Sequence, residues 1–289
     1  MKMKPRCVPC LLNRVLYESE LMDVDDEKKA EIMKSVLKKM SEIYSPERSS
    51  AEIATEIHAL AYRLLETDDP YKDLKERSNR VALEILPRVR EGVEKIRDAL
   101  HEAILASIAA NSIDFGIAGS ASSPESLLTK FWDYMEEGIF HDDVEEMKKF
   151  LKGDVLYFTD NCGEIVFDKL VCEILKENYD ISLTLVCKEV PILTDATYDD
   201  AISLGFQYVV DEILTTGGFA VGVDFSKISE NLRKKMENAS IIISKGMANY
   251  EAFSETEYAP IAYLMRIKCD SIAEDMGLKK GINVVKLYK

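Results

Sequence analysis

Five short runs rich in β-branched and aromatic residues recur through the second half of this 289-residue chain: DVLYFT (154–159), SLTLVC (182–187), FQYVVD (206–211), ASIIIS (239–244) and INVVKLY (282–288). Each is apolar almost without alternation, the pattern of strands buried on both faces. Between them, segments at about 164–178, 198–204, 226–237 and 257–276 carry apolar residues three and four apart and predict helices. Strand and helix in alternation call for a mostly parallel sheet with right-handed crossovers. The expected fold is therefore α/β, with a three-layer α/β/α domain.

The first half lacks such runs. LLNRVLYESELM, KKAEIMKSVLKKMSEIY, SAEIATEIHALAYRLLE and NRVALEILPRVREGVEKIRDALHEAILASIAAN all have helical spacing, with turn and cap residues at Asp23–Asp26, Ser45–Ser49 and Thr67–Lys72. Pro87 is expected to kink or divide its helix. Two more helices are predicted at about 124–136 and 142–152. The organisation expected is an all-helical N-terminal domain, residues 1–110, followed by an α/β/α domain, residues 111–289.

Lys and Arg number 37 against 52 Asp and Glu, a formal net charge of -15. That field repels phosphate backbones and attracts divalent cations, so no nucleic-acid partner is expected. No apolar stretch approaches the roughly 20 residues that span a bilayer, and no apolar signal core follows the first residues. A cytoplasmic protein without a membrane partner is the expectation. Six cysteines in a chain of this size predict reduced thiols. Cys7 and Cys10 form the one C-x-x-C; without a second ligand pair or a preceding strand, a packed structural pair is preferred to a local metal site or a redox motif.

Ligands of an open parallel sheet bind beyond the carboxyl ends of its strands. Asp160-Asn161-Cys162-Gly163-Glu164 stands there after DVLYFT. Asp160 and Asn161 can aim two oxygens at one point, the donor type that Mg²⁺ prefers. The same residues also suit a polar strand-to-helix turn, with Glu164 complementing the helix dipole. Asp195 follows the next strand, 35 positions on, about one βαβ unit away, and is either a third oxygen ligand or a loop hydrogen-bonding residue ahead of a helix capped by Thr197. Lys245 ends the run ASIIIS, where a lysine has little reason to be for packing. It either faces the crevice to meet a phosphate or snorkels out of the sheet edge. His58, His101 and His141 fit helix surfaces or termini and receive no chemical role.

Taken together, FTDNCGE (158–164), the stretch K-x-x-P-x-x-x-D-A-T from Lys188 to Thr197 and SKGMANYE (244–251) resemble the DUF89 family of metal-dependent damage-control phosphatases. ANSIDFG (110–116) and CVPC (7–10) are similar to its archaeal and bacterial branch. The resemblance implies a helical region on an α/β/α domain and hydrolysis of phosphate monoesters of small metabolites, such as sugar phosphates or phosphorylated cofactor precursors, with Mg²⁺, Mn²⁺, Co²⁺ or Ni²⁺. By motif it makes Asp160, Asn161 and Asp195 the metal ligands and Lys245 a phosphate-binding lysine, with Asp160, Asp195 and Lys245 carrying the catalysis. It places Asn111, Asp114, Glu164, Asn249 and Glu251 near the substrate. Cys162 stands where the family often has another residue, and takes no role.

The chemistry expected is in-line attack on phosphorus by a water that the cation activates, with a covalent aspartyl-phosphate on Asp160 as the competing route. Two rival functions are weaker. A dinucleotide or S-adenosylmethionine site, as in a methyltransferase, calls for a Gly-rich first loop, and 160–164 holds a single glycine. A non-catalytic metal- or phosphometabolite-binding regulator would bind the same ligands without turnover.

Overall fold

The computed structural model describes residues 1–111 and 124–289, of which 124–128 by backbone alone. Five helices come first: α1 (Cys7–Leu21), α2 (Asp26–Ile43), α3 (Ser50–Leu65), α4 (Lys72–Glu94) and α5 (Ala99–Ala110). Then follow α6 (Pro124–Glu137), β1 (His141–Asp142), α7 (Val144–Lys148), β2 (Gly153–Phe158), α8 (Glu164–Asn178), β3 (Ile181–Cys187), α9 (Tyr198–Ser203) and β4 (Glu212–Thr215). The chain closes with α10 (Glu230–Asn238), β5 (Ile241–Lys245), α11 (Gly246–Phe253), β6 (Ile261–Arg266), α12 (Asp270–Met276) and β7 (Asn283–Tyr288).

The strands form one seven-stranded sheet in the order β1-β7-β6-β5-β2-β3-β4, parallel throughout except between β6 and β7. Successive side chains on a strand point to opposite faces, and here both faces are covered. Val155 and Tyr157 of β2 enter a core shared with α4, α5 and α8, while Leu156 and Phe158 enter one shared with α10, α11 and α12. That is why the runs do not alternate: each position has an apolar layer to bury into. The architecture is the expected α/β/α sandwich.

The order of strands reverses at β2, with β3 on one side and β5 on the other. The loops that leave β2, β3 and β5 thus open onto one crevice at the carboxyl edge of the sheet, the switch point where such sheets bind ligands.

Some elements differ from the sequence expectation. The segment 257–276, predicted as one helix, divides into strand β6 and helix α12, since IAYLMR is fully buried between β5 and β7. FQYVVD is not a strand: 206–208 make a 3₁₀ turn after Gly205, and β4 begins at Glu212. Helix α10 starts at Glu230, where the Ser229 side chain accepts from the Leu232 amide. Pro87 lies inside an unbroken α4, and the division falls at 95–98 instead. The packing also does not divide at residue 110. Helices α1–α3 gather their own cluster around Val15, Ile32, Val36 and Ile57, whereas Val89, Val93, Ile104 and Ile108 of α4 and α5 belong to the core of the sheet.

Candidate metal and phosphate site

Asp160, Asn161 and Asp195 meet on the wall of one cavity of about 370 Å³, 35 positions of chain notwithstanding. Backbone pairing brings them together. The Ala196 amide donates to the Asp160 carbonyl at 2.7 Å, the Cys162 amide donates to the Thr194 carbonyl at 2.8 Å, and Asn161 and Asp195 form an antiparallel bridge. The loop after β2 and the loop after β3 are therefore zipped, and their polar side chains share a location fixed by main chain. A capping box of Thr197 and Asp200 ends the second loop and starts α9.

The side chains are held as tightly as the backbone. The Asn161 carboxamide donates to Asp160 Oδ2 at 2.7 Å and accepts from the Thr194 hydroxyl at 2.7 Å. Lys188 Nζ, buried, lies 3.3 Å from Asp195 Oδ2 and donates to the carbonyls of Ala220 and Gly222. Both aspartates are buried, each residue only 5% exposed. From α4, Asn79 accepts the Gly163 amide at 2.6 Å and donates to Asp200 at 3.3 Å, tying the helical half to both loops. Gly163 has φ 84°, which a glycine adopts freely.

Behind Asp160 lies a second layer of charge. Asn111 Nδ2 donates to Asp160 Oδ2 at 3.1 Å and to Glu164 Oε2, and the other Glu164 oxygen accepts from Lys245. Lys245 also donates to Asp168 Oδ1 at 2.7 Å and to the Ser107 hydroxyl; Asp168 Oδ1 accepts from Tyr157 at 2.8 Å. Burial opposes the Lys245 charge, but the Asp168 and Glu164 carboxylates outweigh it and its pKa is raised, so the ammonium persists. Burial pushes the Glu164 carboxyl up, and Lys245 partly holds it down.

Several residues are placed otherwise than the motifs suggested. Lys245 is fully enclosed and does not line the cavity. It shares a strand face with Ile241 and Ile243, which points it into the α5/α8 layer. Asn249 spends its amide on the carbonyls of Thr159 and Lys245 at 2.9 and 2.8 Å, joining β2 to α11 and not reaching the cavity. Glu164 is likewise buried behind Asp160. Asn111 and Glu251 do line the cavity, Glu251 accepting from the Ser50 hydroxyl. Asp114 lies outside the described residues.

The cavity wall also carries residues that sequence reasoning passed over. His58 is not on a surface: it is buried, with Nδ1 2.8 Å from the buried carboxylate of Glu18. Cys7 and Cys10 of α1 and Cys269 after β6 share the wall. Basic groups are there too, among them Arg14 and Lys268. His58 lies among apolar residues of α3, a spacing that signals burial, whereas nothing local marks Lys268, which follows a strand misread as helix.

The family model of the damage-control phosphatase ARMT1-like domain matches residues 3–284. The chain belongs to the damage-control phosphatase family. A damage-control phosphatase of Archaeoglobus fulgidus is 37% identical over 289 residues, covering all of both chains. Another from Pyrococcus horikoshii is 28% identical over 97% of this chain and 96% of its own. The crystal structure of a DUF89 family protein from the latter organism superposes with a TM-score of 0.90 at 27% identity, covering both chains fully. The family's fold is thus the one described above, from α1 to β7. No helix among the described residues is long and apolar enough to cross a membrane.

The donor set suits a hard divalent cation. Two buried carboxylates and a carboxamide at one cavity wall present oxygen donors, the type that hard cations take. Among the described residues no group of three or more His, Cys, Asp or Glu side chains is arranged to hold a metal. A site here would draw on the Asn161 oxygen and on water as well.

Proposed function

We propose that this chain is a divalent-metal-dependent phosphatase acting on phosphate monoesters of small metabolites, with Asp160, Asn161 and Asp195 holding the cation. The observation that supports this reading is the zipping of the 160–162 and 194–196 loops, which brings two carboxylates and a carboxamide to one wall of the switch-point cavity. Names of relatives across the full chain support the reaction class.

A bound Mg²⁺, Mn²⁺, Co²⁺ or Ni²⁺ supplies charge neutralisation and polarisation of a phosphoryl group. The chain supplies position. Asn111 steers the Asp160 carboxylate and Lys188 steers Asp195, so neither oxygen must reorganise when a substrate arrives. Lys245 acts at one remove, by holding the Glu164 and Asp168 carboxyl groups in place behind Asn111. In phosphoryl transfer such positioning and charge neutralisation are most of what a protein does. The cavity wall mixes Asn111, Asp160, Asn161 and Asp195 with Leu11, Ala54, Leu193 and Val221, a lining that suits a small organic phosphate better than a polymer.

A phosphate-release screen over sugar phosphates, nucleotides and phosphorylated cofactor precursors, run with each of the four metals and with a chelator, tests the proposal. Turnover should require metal and fall by at least about a hundredfold in Asp160→Ala and Asp195→Ala. Metal-independent turnover, or turnover that survives either substitution, would refute the assignment; ligand binding with no turnover on any ester would mark a regulator instead.

A further inference from the structure

Hydrolysis of an alkyl phosphate leaves a strongly basic alcohol oxygen, and a group that delivers a proton to it lowers the barrier. Such a group has to line the cavity and carry a movable proton. His58 of α3 does both: it is 1% exposed, and it stands in the wall of the same cavity of about 370 Å³ as Asp160, Asn161 and Asp195. A space of that size is filled by one small ester, so a group on its wall is within the substrate's reach.

The ring does not stand alone. Its Nδ1 lies 2.8 Å from Oε1 of Glu18 on α1, a carboxylate with no exposure at all, and the Tyr71 hydroxyl donates to the same oxygen at 3.3 Å. Two ionisable groups taken wholly out of water are costly to bury, and apolar side chains of similar size would pack α1 against α3 at least as well. A carboxylate beside one nitrogen of an imidazole orients the ring and leaves the other nitrogen for chemistry. Here that other nitrogen is Nε2. Nδ1 is sealed from solvent and Nε2 is not, and among the described residues no hydrogen bond occupies Nε2.

The rest of α3 sets where the ring sits. The Thr55 hydroxyl accepts from the Val221 amide at 2.9 Å, and the Tyr62 hydroxyl accepts from the Leu193 amide at 2.9 Å. His58 is about one turn from each, on the face that both bonds fasten. Leu193 is two residues before Asp195, and the carbonyl before Val221 accepts from Lys188, which pairs with Asp195. The helix face bearing His58 is thus pinned on both sides of the Asp195 loop.

We propose that His58, oriented by Glu18, is the general acid of this site. The proposal rests on the phosphatase reading. As an incoming oxygen bonds to phosphorus, the bond from phosphorus to the alcohol oxygen breaks, its electron pair stays with that oxygen, and the oxygen takes the Nε2 proton. The proton lost by the attacking water restores the imidazole, so ester and water become alcohol and phosphate. Glu18 is a positioning residue.

Leaving-group dependence tests this. The two substrates are p-nitrophenyl phosphate, whose leaving group needs no proton, and the sugar phosphate that wild type hydrolyses fastest. His58→Gln should lower kcat on the sugar phosphate by about a hundredfold or more and on the aryl ester by a far smaller factor. Glu18→Gln should show the same ordering with a smaller loss. Inorganic phosphate, titrated calorimetrically into the metal-loaded proteins, should bind both variants within about threefold of wild type, because phosphate carries no leaving alcohol. Equal losses on the two esters, with or without a loss of phosphate affinity, would mark a structural pair and overturn the proposal. So would an unchanged sugar phosphate rate in His58→Gln. A wild-type protein that hydrolyses no ester would instead refute the phosphatase reading, and this one with it.

Discussion

Gly246 lies against the carboxylate of Asp160, so close that a β-carbon at position 246 would overlap both carboxylate oxygens. The glycine also has φ 78°, a conformation that side chains resist. One residue thus serves two ends: it turns the chain from β5 into α11 and leaves room for the acid of the neighbouring loop. Gly246→Ala should therefore cost more than the ordinary penalty of a left-handed alanine. We expect a loss of about 1–3 kcal/mol in urea unfolding and a drop of tenfold or more in metal-dependent turnover. Retained turnover with retained stability would mean that Asp160 does not need the position it has.

Lys245 gives a prediction opposite to that for a surface lysine. Its ammonium balances two carboxylates that have no access to water, so removing it strands charge in the core. Breaking such a buried arrangement costs about 3–5 kcal/mol. Equilibrium denaturation of Lys245→Met should show a loss of that size, and Lys245→Met combined with Asp168→Asn should recover part of it. A loss below about 1 kcal/mol would contradict the role of Lys245 as the partner of these two side chains.

Glu251 makes a pH prediction. Burial pushes its carboxyl pKa above the usual 4.5, against the lowering effect of the Ser50 hydroxyl. A raised native pKa means that the folded state holds the proton more tightly than the unfolded chain. The contribution to stability is then complete below about pH 4.5 and is lost as pH rises through the native value. Wild type should accordingly lose stability relative to Glu251→Gln as pH is raised from the carboxylate range towards neutrality. Thermal unfolding of the two proteins in parallel buffers reads this difference. Wild type gaining stability relative to Glu251→Gln as pH rises would reverse the sign of the argument.

Parts of this protein could be read before folding and parts could not. β2, β3 and β5 were legible because a strand covered on both faces leaves a continuous apolar run, and the polar residues ending each run marked the crevice. β6 was not, because IAYLMR follows the helix-like letters 250–258 and its burial depends on β7, an antiparallel neighbour that lies later in the chain. β4 is an edge strand with every residue half-buried, so its composition, EILT, is no more strand-like than the FQYVVD before it. The convergence of Asp160, Asn161 and Asp195 on one cavity follows from loop placement at a switch point, which strand order alone predicts. The direction of Lys245 could have been inferred: it shares parity with Ile241 and Ile243, and Glu164 and Asp168 stand one turn apart on the helix that covers that face. Lys268, Asn79 and Lys188 owe their places to partners distant in sequence, and the local pattern holds no sign of them.

The most direct test of the account is anomalous diffraction from crystals grown with Co²⁺ or Ni²⁺. The prediction is one principal peak bonded to side-chain oxygens of Asp160, Asn161 and Asp195, absent in Asp160→Ala crystals prepared identically. A principal peak elsewhere, such as at Cys7, Cys10 and Cys269, in crystals of a protein that turns over phosphate esters would contradict it.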